Sequence, residues 1–310
     1  MSSPDTPDER LARAALSLEG LSVGDAFGEQ FFVDPYAVND LVEARTLPDA
    51  TWPYTDDTEM ALSLVSVLRQ SGEMDQDRFA RSLSEHYDPL RGYGAAMHDL
   101  VPMIWLPGSW VSFSRRLFDG QGSFGNGAAM RVAPLGAYFA DDLETAASQA
   151  FDSAIVTHTH LEAAAGAVAV AVGAALAWQW RGVFPRPGPA EFLEGILMLV
   201  PESGVRTGIE RARDLSTETT VSQATRVLGN GDGVSAQDTV PFVLWCAGQH
   251  LGSYEDALWL TVSGLGDRDT TCAMVGGIVA LSAGASSIPD AWVAAREPLP
   301  LWPFEEGTQM

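Results

Sequence analysis

The sequence predicts an all-α protein, a compact helical domain with functional loops between its helices. Apolar residues recur every three to four positions along most of the chain, and convincing alternation of apolar and polar residues is missing. Turn-rich stretches such as WPYTDD, GYGAAM and GNGDG separate the periodic runs, and no long low-complexity linker divides the chain. With 310 residues, 46% of them hydrophobic, we expect a single domain over residues 1–310.

The periodic segments predict helices in sequence order. The first covers residues 9–28, where Leu11, Ala14 and Leu18 recur at helical spacing, and residues 57–70 repeat the pattern. The other predicted helices are 75–86, 141–157, 161–180, 189–199, 205–215, 222–228, 239–248, 254–263 and 270–283.

One segment has the length and composition of a short transmembrane helix. Residues 163–180, AAAGAVAVAVGAALAWQW, carry no charge. They are mostly Ala, Val and Gly, which contribute little apolar area but allow helices to approach closely. The sequence therefore favours a buried central helix over a membrane span.

Composition restricts the classes of partner. The formal net charge is -23, from 41 acidic and 18 basic residues, and every basic residue is Arg. Such a surface repels long nucleic acids and acidic membranes, so we expect neither as a partner. Two cysteines, Cys246 and Cys272, are too few for a disulfide framework or a thiolate metal site. The N-terminal stretch lacks the pattern of a secretory signal, so we expect a cytoplasmic protein, and we expect a monomer.

Two short acidic runs stand at predicted helix starts, about two hundred residues apart. They consist of Thr55, Asp56, Asp57 and Thr58 in one case and of Asp267, Asp269 and Thr270 in the other. Carboxylate and hydroxyl oxygens are hard ligands that suit Mg²⁺, Mn²⁺ or Ca²⁺. Four aspartates brought together would carry about four negative charges, which two divalent ions balance and one does not.

Each run alone has an ordinary structural explanation. Thr-Asp-Asp-Thr before MALSLV is typical of a helix N-cap, and Asp-Arg-Asp-Thr before an apolar run fits a second one. Composition does not show that the runs meet. If they do, a shared cation site is the stronger interpretation.

Two glycine-containing stretches also stand out. Gly24 and Gly28 interrupt the first predicted helix beside Asp25, and a helix-internal Gly costs about 1 kcal/mol relative to Ala, so we expect another element to approach that backbone closely. Residues 120–131, GQGSFGNGAAMR, form a Gly-rich loop that runs into a helix and offers backbone N–H groups to a phosphate. The loop matches neither the Walker nor the GxGxxG pattern, so alone it is a weak signal.

Two histidines begin the Ala-rich helix. His158 and His160 stand two positions apart, so they face different directions and a joint metal site is not expected. The ordinary alternative is one buried, hydrogen-bonded histidine beside one exposed histidine.

Five stretches together resemble the ADP-ribosylglycohydrolase family, which includes dinitrogenase-reductase-activating glycohydrolases and ADP-ribosyl-acceptor hydrolases. The matching pieces occur in the family's order between residues 20 and 280. They are GDAFG at 24–28, YTDDTEMAL at 54–62, GSFGNGAAMRVAPLG at 122–136, THTHLEAAAGAVA at 157–169 and GDRDTTCAMVGGI at 266–278.

The resemblance implies an orthogonal multi-helix bundle with a cleft that holds two Mg²⁺ or Mn²⁺ ions. The implied metal ligands are Thr55, Asp56, Asp57, Asp267, Asp269 and Thr270. The implied substrate-binding residues are Gly122, Ser123, Phe124, Gly125, Asn126 and Gly127, which match the loop that holds the diphosphate and distal ribose, together with His158.

The resemblance also implies a reaction. The cations would orient the ribose and activate a water molecule, and Asp57 or Asp269 would take the proton of that water as it attacks. Many family members carry a Glu shortly after GDxxG that takes part in substrate gating. Phe32 occupies that position here, and two alternatives follow: Glu29, three residues earlier, replaces the gating Glu, or the gate is absent.

The expected function is therefore metal-dependent hydrolysis of the bond between ADP-ribose and an acceptor, in an ADP-ribosylated protein or a small-molecule conjugate. Arginine is the leading acceptor, and serine and O-acetyl-ADP-ribose are alternatives. A different class of function, a catalytically silent protein that binds ADP-ribose or a nucleotide or has a structural role, is the competing hypothesis. The four intact aspartates argue against it.

Overall fold

The computed structural model describes residues 6–305, the side chains of residues 35 and 36 excepted, and these residues form helices and loops with no extended sheet. The all-α prediction is confirmed. The α-helices are α1 (Pro7–Glu29), α2 (Pro35–Glu43), α3 (Asp56–Ser71), α4 (Gln76–Glu85), α5 (Ala95–Leu100), α6 (Ser109–Arg116), α7 (Gly127–Met130), α8 (Ala133–Tyr138), α9 (Leu143–Ile155), α10 (Leu161–Gln179), α11 (Pro189–Leu197), α12 (Gly204–Asp214), α13 (Val221–Leu228), α14 (Ala236–Gln249), α15 (Tyr254–Val262), α16 (Arg268–Ala283) and α17 (Asp290–Ala295).

All eleven predicted helices have counterparts in the structure. The sequence missed α2, α5, α6, α7, α8 and α17, which have nine residues or fewer. Such helices make too few turns to show a clear period. The start of α16 also differs from the prediction: the helix begins at Arg268 with Asp267 as its N-cap, two residues before the predicted start.

The glycines of α1 allow it to lie directly against α16. A Cβ at Gly20, Gly24 or Gly28 would overlap a backbone carbonyl oxygen of α16, that of Gly276, Cys272 or Arg268 respectively. The expectation of a close backbone approach is confirmed, because only glycine leaves room for this packing along one face of α1. The crossing brings the C-terminal end of α1 beside the N-terminal end of α16.

The Ala-rich helix α10 lies inside the bundle. It is long and apolar enough to cross a membrane by length and composition, but 83% of the relevant window is buried within the protein. It packs against α8, α9, α14 and α16. The prediction of a buried central helix is confirmed.

The segment before α3 is held from both sides. Phe27 of α1 stacks on Trp292 with ring centroids 4.4 Å apart and meets Trp52 edge to face. The amide of Trp52 donates to Ala295 O at 2.7 Å, and Trp52 O accepts from the amide of Glu297 at 2.9 Å. The C-terminal segment therefore fixes the chain that enters the first acidic run.

Candidate active site and metal centre

The first acidic run forms the N-terminus of α3. Thr55 is the N-cap, and its side chain accepts a hydrogen bond from the amide of Asp57 at 3.4 Å. The amide of Asp56 donates to Arg91 O at 2.8 Å. The N-cap explanation therefore holds for this run, and it coexists with the cluster described next.

Asp25 of α1 organises this N-terminus. Its buried carboxylate accepts hydrogen bonds from the amide and hydroxyl of Thr55, at 3.0 and 2.9 Å, and from the amide and hydroxyl of Thr58, at 3.1 and 2.5 Å. Sequence reasoning noticed Asp25 only as a polar residue on an apolar helix. Its position between Gly24 and Gly28 was the available signal, because the close helix crossing there carries Asp25 into the site.

The two acidic runs meet in the structure. Carboxylate oxygens of Asp25, Asp57 and Asp269 lie within 4.8 Å of one another. Asp57 Oδ2 lies 3.0 Å from Thr55 Oγ1, whose single proton it shares with Asp25. It also accepts a hydrogen bond from Thr270 Oγ1 at 3.3 Å, a contact that spans 213 residues of sequence. The structure therefore places the two runs at one location, which composition alone left open.

The Gly-rich loop joins the second run. The side-chain amide of Asn126 donates to Asp267 Oδ2 at 2.8 Å and to Thr239 Oγ1 at 3.1 Å. Since Asp267 is the N-cap of α16, this bond ties the loop directly to the helix that carries Asp269.

The cluster is electrostatically unfavourable without a cation. Burial raises the pKa of Asp25 and of Asp269 to about 6, and burial with the neighbouring Asp269 raises the pKa of Asp267 to about 7. Burial and the neighbouring carboxylates also raise the pKa of Asp56 and of Asp57 well above the ordinary range. Several carboxylates with raised pKa values in one place indicate a position where positive charge is needed.

Two orphaned oxygens show where a cation fits. Oδ1 of Asp57 and Oδ1 of Asp269 are buried with no hydrogen-bond partner, whereas Asp25 has its carboxylate satisfied by four donors. Buried carboxylate oxygens without partners are rare in folded proteins. With the hydroxyls of Thr55 and Thr270 beside them, the donor set consists of oxygens alone and fits a hard divalent cation such as Mg²⁺ or Mn²⁺.

A cleft of about 600 Å³ opens above this cluster. All of the predicted substrate-binding residues except Gly122 line this cleft, and so do four of the six predicted metal ligands. Of the other two ligands, Thr55 lines an adjoining cavity, and Asp57 is 1% exposed and lies beneath the cleft. The predicted site residues that line the cleft are Asp56, Ser123, Phe124, Gly125, Asn126, Gly127, His158, Asp267, Asp269 and Thr270.

Contacts within the protein hold the Gly-rich loop in place and occupy some of the backbone amides that could bind a phosphate. Gly122 has a φ of +77°, and a Cβ there would overlap Thr159 Oγ1. The amide of Gly125 donates to Ser123 Oγ at 3.2 Å, and the amide of Asn126 donates to Val234 O at 3.4 Å. These two amides are engaged within the protein, so a bound phosphate would have to use other donors of the loop.

His158 supports the loop from beneath. It is buried and its Nδ1 is hydrogen-bonded to Thr157 Oγ1 at 2.7 Å. Burial lowers the pKa of His158 to about 3, so the ring is neutral at physiological pH. A Cβ at Gly127 would lie 2.9 Å from the His158 ring. The expectation of one buried, hydrogen-bonded histidine is confirmed.

His160 differs from the exposed histidine of that alternative. Its Nδ1 accepts a hydrogen bond from the amide of Glu162 at 3.1 Å and caps α10, and its ring packs edge to face on Phe124 at 5.7 Å. The ring is therefore half-buried.

The mouth of the cleft contains apolar residues that sequence reasoning missed. Phe118 and Val234 line it together with Phe124, and the rings of Phe118 and Phe124 lie 6.0 Å apart. Phe118 and Val234 adopt φ values of 52° and 49°, which are uncommon for side-chain-bearing residues. No local pattern marks an exposed aromatic in a loop, so nothing in the sequence indicated these two residues.

A second cavity of about 240 Å³ adjoins the cleft. It is lined by Glu29, Asp88 and Arg91 among others, and it shares Asp269 and Gly92 with the larger cleft. Burial and the charge of Asp267 raise the pKa of Glu29. The structure thus brings Glu29 to the site.

Phe32 lies on the outer side of this end of α1. Its half-exposed ring packs beneath the guanidinium of Arg268 at 4.8 Å, and Arg268 Nη1 donates to Phe31 O at 2.9 Å. An aromatic ring under an arginine cannot provide the carboxylate that the resemblance implies at this position. At this end of α1, Glu29 and not Phe32 lines the smaller cavity and brings a carboxylate to it.

Fold and site together define an all-α protein with a cluster of carboxylate and hydroxyl oxygens, suited to a hard cation, at the floor of a cleft. A family model described as ADP-ribosylglycohydrolase matches residues 6–306. The chain therefore belongs to the ADP-ribosylglycohydrolase family, a family of glycosidic-bond hydrolases.

Individual relatives agree with this family. The chain is 27% identical over 338 residues to ADP-ribosylhydrolase ARH3 of Homo sapiens, covering 93% of this chain and 90% of that protein. It is 29% identical over 169 residues to ADP-ribosylarginine hydrolase Tri1 of Pseudomonas putida, covering 49% and 43%. A solved structure titled ADP-ribosylglycohydrolase-related protein complex has a TM-score of 0.62 at 23% identity, covering 95% of this chain and 94% of that one, and shares the fold.

Proposed function

We propose that this protein hydrolyses the glycosidic bond between ADP-ribose and an arginine side chain, with two Mg²⁺ or Mn²⁺ ions as cofactors. The observation that carries the proposal is the meeting of the two acidic runs at the floor of a cleft of about 600 Å³. That volume lies within the range of cofactor-sized ligand sites.

The two cavities fit the two halves of such a substrate. The ADP-ribosyl group would occupy the larger cleft, with the adenine against Phe118, Phe124 and Val234 and the ribose above the aspartates. The acceptor would occupy the smaller cavity. Because Asp269 lines both, the bond to be cleaved would lie beside its carboxylate.

The cations would supply charge stabilisation and a more acidic water molecule. The residues of the chain would do the rest: Asn126 and His158 hold the loop and the ribose end in place, and Asp269 accepts the proton of the attacking water. Water oxygen bonds to the anomeric carbon as the bond to the acceptor nitrogen breaks, and the proton that Asp269 takes from the water passes to that nitrogen, so the acceptor leaves protonated. Asp57, 1% exposed, is better suited to holding a cation than to touching the water.

The smaller cavity favours a cationic acceptor. It carries the carboxylates of Glu29, Asp88 and Asp269. Its one guanidinium, that of Arg91, lies 3.9 Å from the Tyr54 ring, is paired with Glu297 and also lies 3.7 Å from Asp88, so Glu29 and Asp269 are the cavity carboxylates that it does not pair with. The remaining negative charge complements the guanidinium of an ADP-ribosylated arginine better than a neutral serine or acetyl ester.

The acceptor assignment is tested by substrate competition. Parent protein is incubated with ADP-ribosyl-arginine, ADP-ribosyl-serine and O-acetyl-ADP-ribose, with Mg²⁺ or EDTA, and ADP-ribose release is measured. We expect Mg²⁺-dependent release, fastest from the arginine conjugate. No release from any of the three would overturn the proposed activity, and tight ADP-ribose binding without turnover would favour the catalytically silent alternative.

Substituting Glu29 tests the role of the smaller cavity. Glu29→Gln should lower kcat/KM for the arginine conjugate about tenfold relative to the serine conjugate, because it removes one carboxylate from the acceptor side. Glu85→Gln, on the exposed surface of α4, is the control and should leave the ratio unchanged. An unchanged ratio in Glu29→Gln would show that Glu29 does not select the acceptor. The cytoplasmic location and the monomeric state stay predictions from the sequence.

A further inference from the structure

Arg131 is a buried cation for which the structure provides no ion pair among the described residues. Its side chain is fully buried, and among residues 6–305 no carboxylate forms an ion pair with it. Nη2 donates to Ser153 O at 2.9 Å, Nη1 lies 3.7 Å from Met60 Sδ, and Nε has no partner. The guanidinium also stacks over the Phe79 ring at 4.9 Å.

Such an arrangement is costly. A guanidinium has five N–H donors, and removing it from water without a paired anion costs several kcal/mol. Burial lowers the pKa of Arg131 to about 9, so it still carries its charge at pH 7. An apolar residue of similar length would fill the same space at lower cost. The charge itself therefore needs an explanation.

The guanidinium lies directly behind the floor of the larger cleft. Met60, whose sulfur contacts Nη1, lines that cleft, and so does Met130, the residue before Arg131. Among the charged groups, Asp56 of the first acidic run is near enough to affect the charge of Arg131, and Arg131 in turn disfavours a charge on His158. The positive charge is separated from the cleft by apolar side chains, where the low dielectric constant transmits its field.

We propose that Arg131 is a positioning residue whose buried positive charge offsets the acidic cluster and allows an anionic ADP-ribosyl group to settle on the floor of the cleft. This inference rests on the proposed function. The protein has a net charge of -23, so an anionic ligand meets repulsion over most of its surface. A fixed cation behind the floor acts on the ligand without being screened by solvent and without competing for a hydrogen bond to it.

Removing this charge should change the affinities for two ligands in opposite directions. Arg131→Met keeps the length and apolar packing and removes the charge. Isothermal titration with ADP-ribose should show Kd raised about tenfold, which is about 1.4 kcal/mol. Titration with Mg²⁺ alone should show Kd lowered severalfold, because a positive charge near the acidic cluster has been removed. A purely structural arginine would not move the two affinities in opposite directions.

Two further variants complete the test. Arg13→Met removes the other fully buried arginine side chain, which pairs with Asp141 away from the cleft, and should lower Tm without changing either affinity. Arg131→Lys keeps the charge but loses the planar contacts with Ser153 and Phe79. We expect Arg131→Lys to retain near-parental affinities for ADP-ribose and Mg²⁺. If Arg131→Met does not fold, the ADP-ribose affinity of Arg131→Lys provides the test of the electrostatic role.

The outcomes separate this inference from the proposed function. If parent protein binds neither Mg²⁺ nor ADP-ribose, the proposed function fails. If the parent binds both and Arg131→Met binds both with unchanged affinity, or if Arg131→Lys loses ADP-ribose affinity as fully as the methionine variant, the electrostatic role of Arg131 is refuted.

Discussion

Replacement of Asp269 by Asn should stabilise the metal-free protein while abolishing its chemistry. Asp269 has a buried oxygen without a partner, and burial raises its pKa from 3.8 to about 6. At pH 7 the ionised side chain therefore costs the folded state about 3 kcal/mol, at about 1.4 kcal/mol for each pKa unit. The substituted asparagine carries no charge, so the chelated variant should unfold roughly 6 °C higher than the parent.

The stabilisation should depend on pH in a defined direction. Because the folded-state pKa of Asp269 lies above its unfolded value, the cost is absent below about pH 4, where both states are protonated, and grows as pH rises towards 6. Above pH 6 it is fully present. The difference in Tm between Asp269→Asn and the parent should therefore be largest at pH 8 and vanish near pH 4.

The assay combines thermal unfolding and turnover. Melting curves are recorded in EDTA and in Mg²⁺ at several pH values, and ADP-ribose release is measured in parallel. Mg²⁺ should raise the parent Tm and leave that of Asp269→Asn nearly unchanged, and the variant's turnover should fall roughly 100-fold or more. Lower stability of the variant in EDTA at pH 8, or retention of full turnover, would refute the reasoning.

Three other substitutions follow from the geometry. Gly24→Ala should destabilise the protein by about 2 kcal/mol or more, because the added Cβ would overlap Cys272 O. The control Gly94→Ala has open space around the added Cβ and should change stability little. Equal effects of the two substitutions in urea denaturation would contradict the close α1–α16 crossing. Asp25→Asn should lower Tm and weaken Mg²⁺ binding, because the amide nitrogen that replaces one carboxylate oxygen cannot accept from the donors that face that oxygen. Unchanged calorimetric titrations would count against the organising role of Asp25. Phe124→Ala should raise KM for ADP-ribosyl substrates about tenfold with little change in kcat, and an altered kcat with unchanged KM would remove it from the adenine side of the cleft.

The features that the sequence predicted are local or repeated. Helix α1 shows several turns of apolar periodicity and α10 is a long uncharged apolar run, so the positions of both helices could be predicted within a few residues. Gly24 and Gly28 signalled a close approach because glycine in a helix is costly unless space requires it. The two acidic runs showed the ligand chemistry, although only the fold could show that they meet.

The features that the sequence did not predict depend on tertiary contacts. Asp25 belongs to the site because the α1–α16 crossing turns that face of the helix towards α3. Phe118 and Val234 reach the cleft because their backbones adopt left-handed conformations, which cannot be predicted from the identity of either residue. The burial of Arg131 without an ion pair follows from how α3, α4 and α9 pack around it, which no local sequence pattern shows.

The most direct test of the central claim is a crystal structure with Mn²⁺ and ADP-ribose, recorded at the manganese absorption edge. We expect two anomalous peaks within bonding distance of oxygens from both acidic runs, including the unpartnered oxygens of Asp57 and Asp269, with the ribose above them and the adenine near Phe124. Absence of manganese between the two runs, or ADP-ribose bound outside this cleft, would contradict the account.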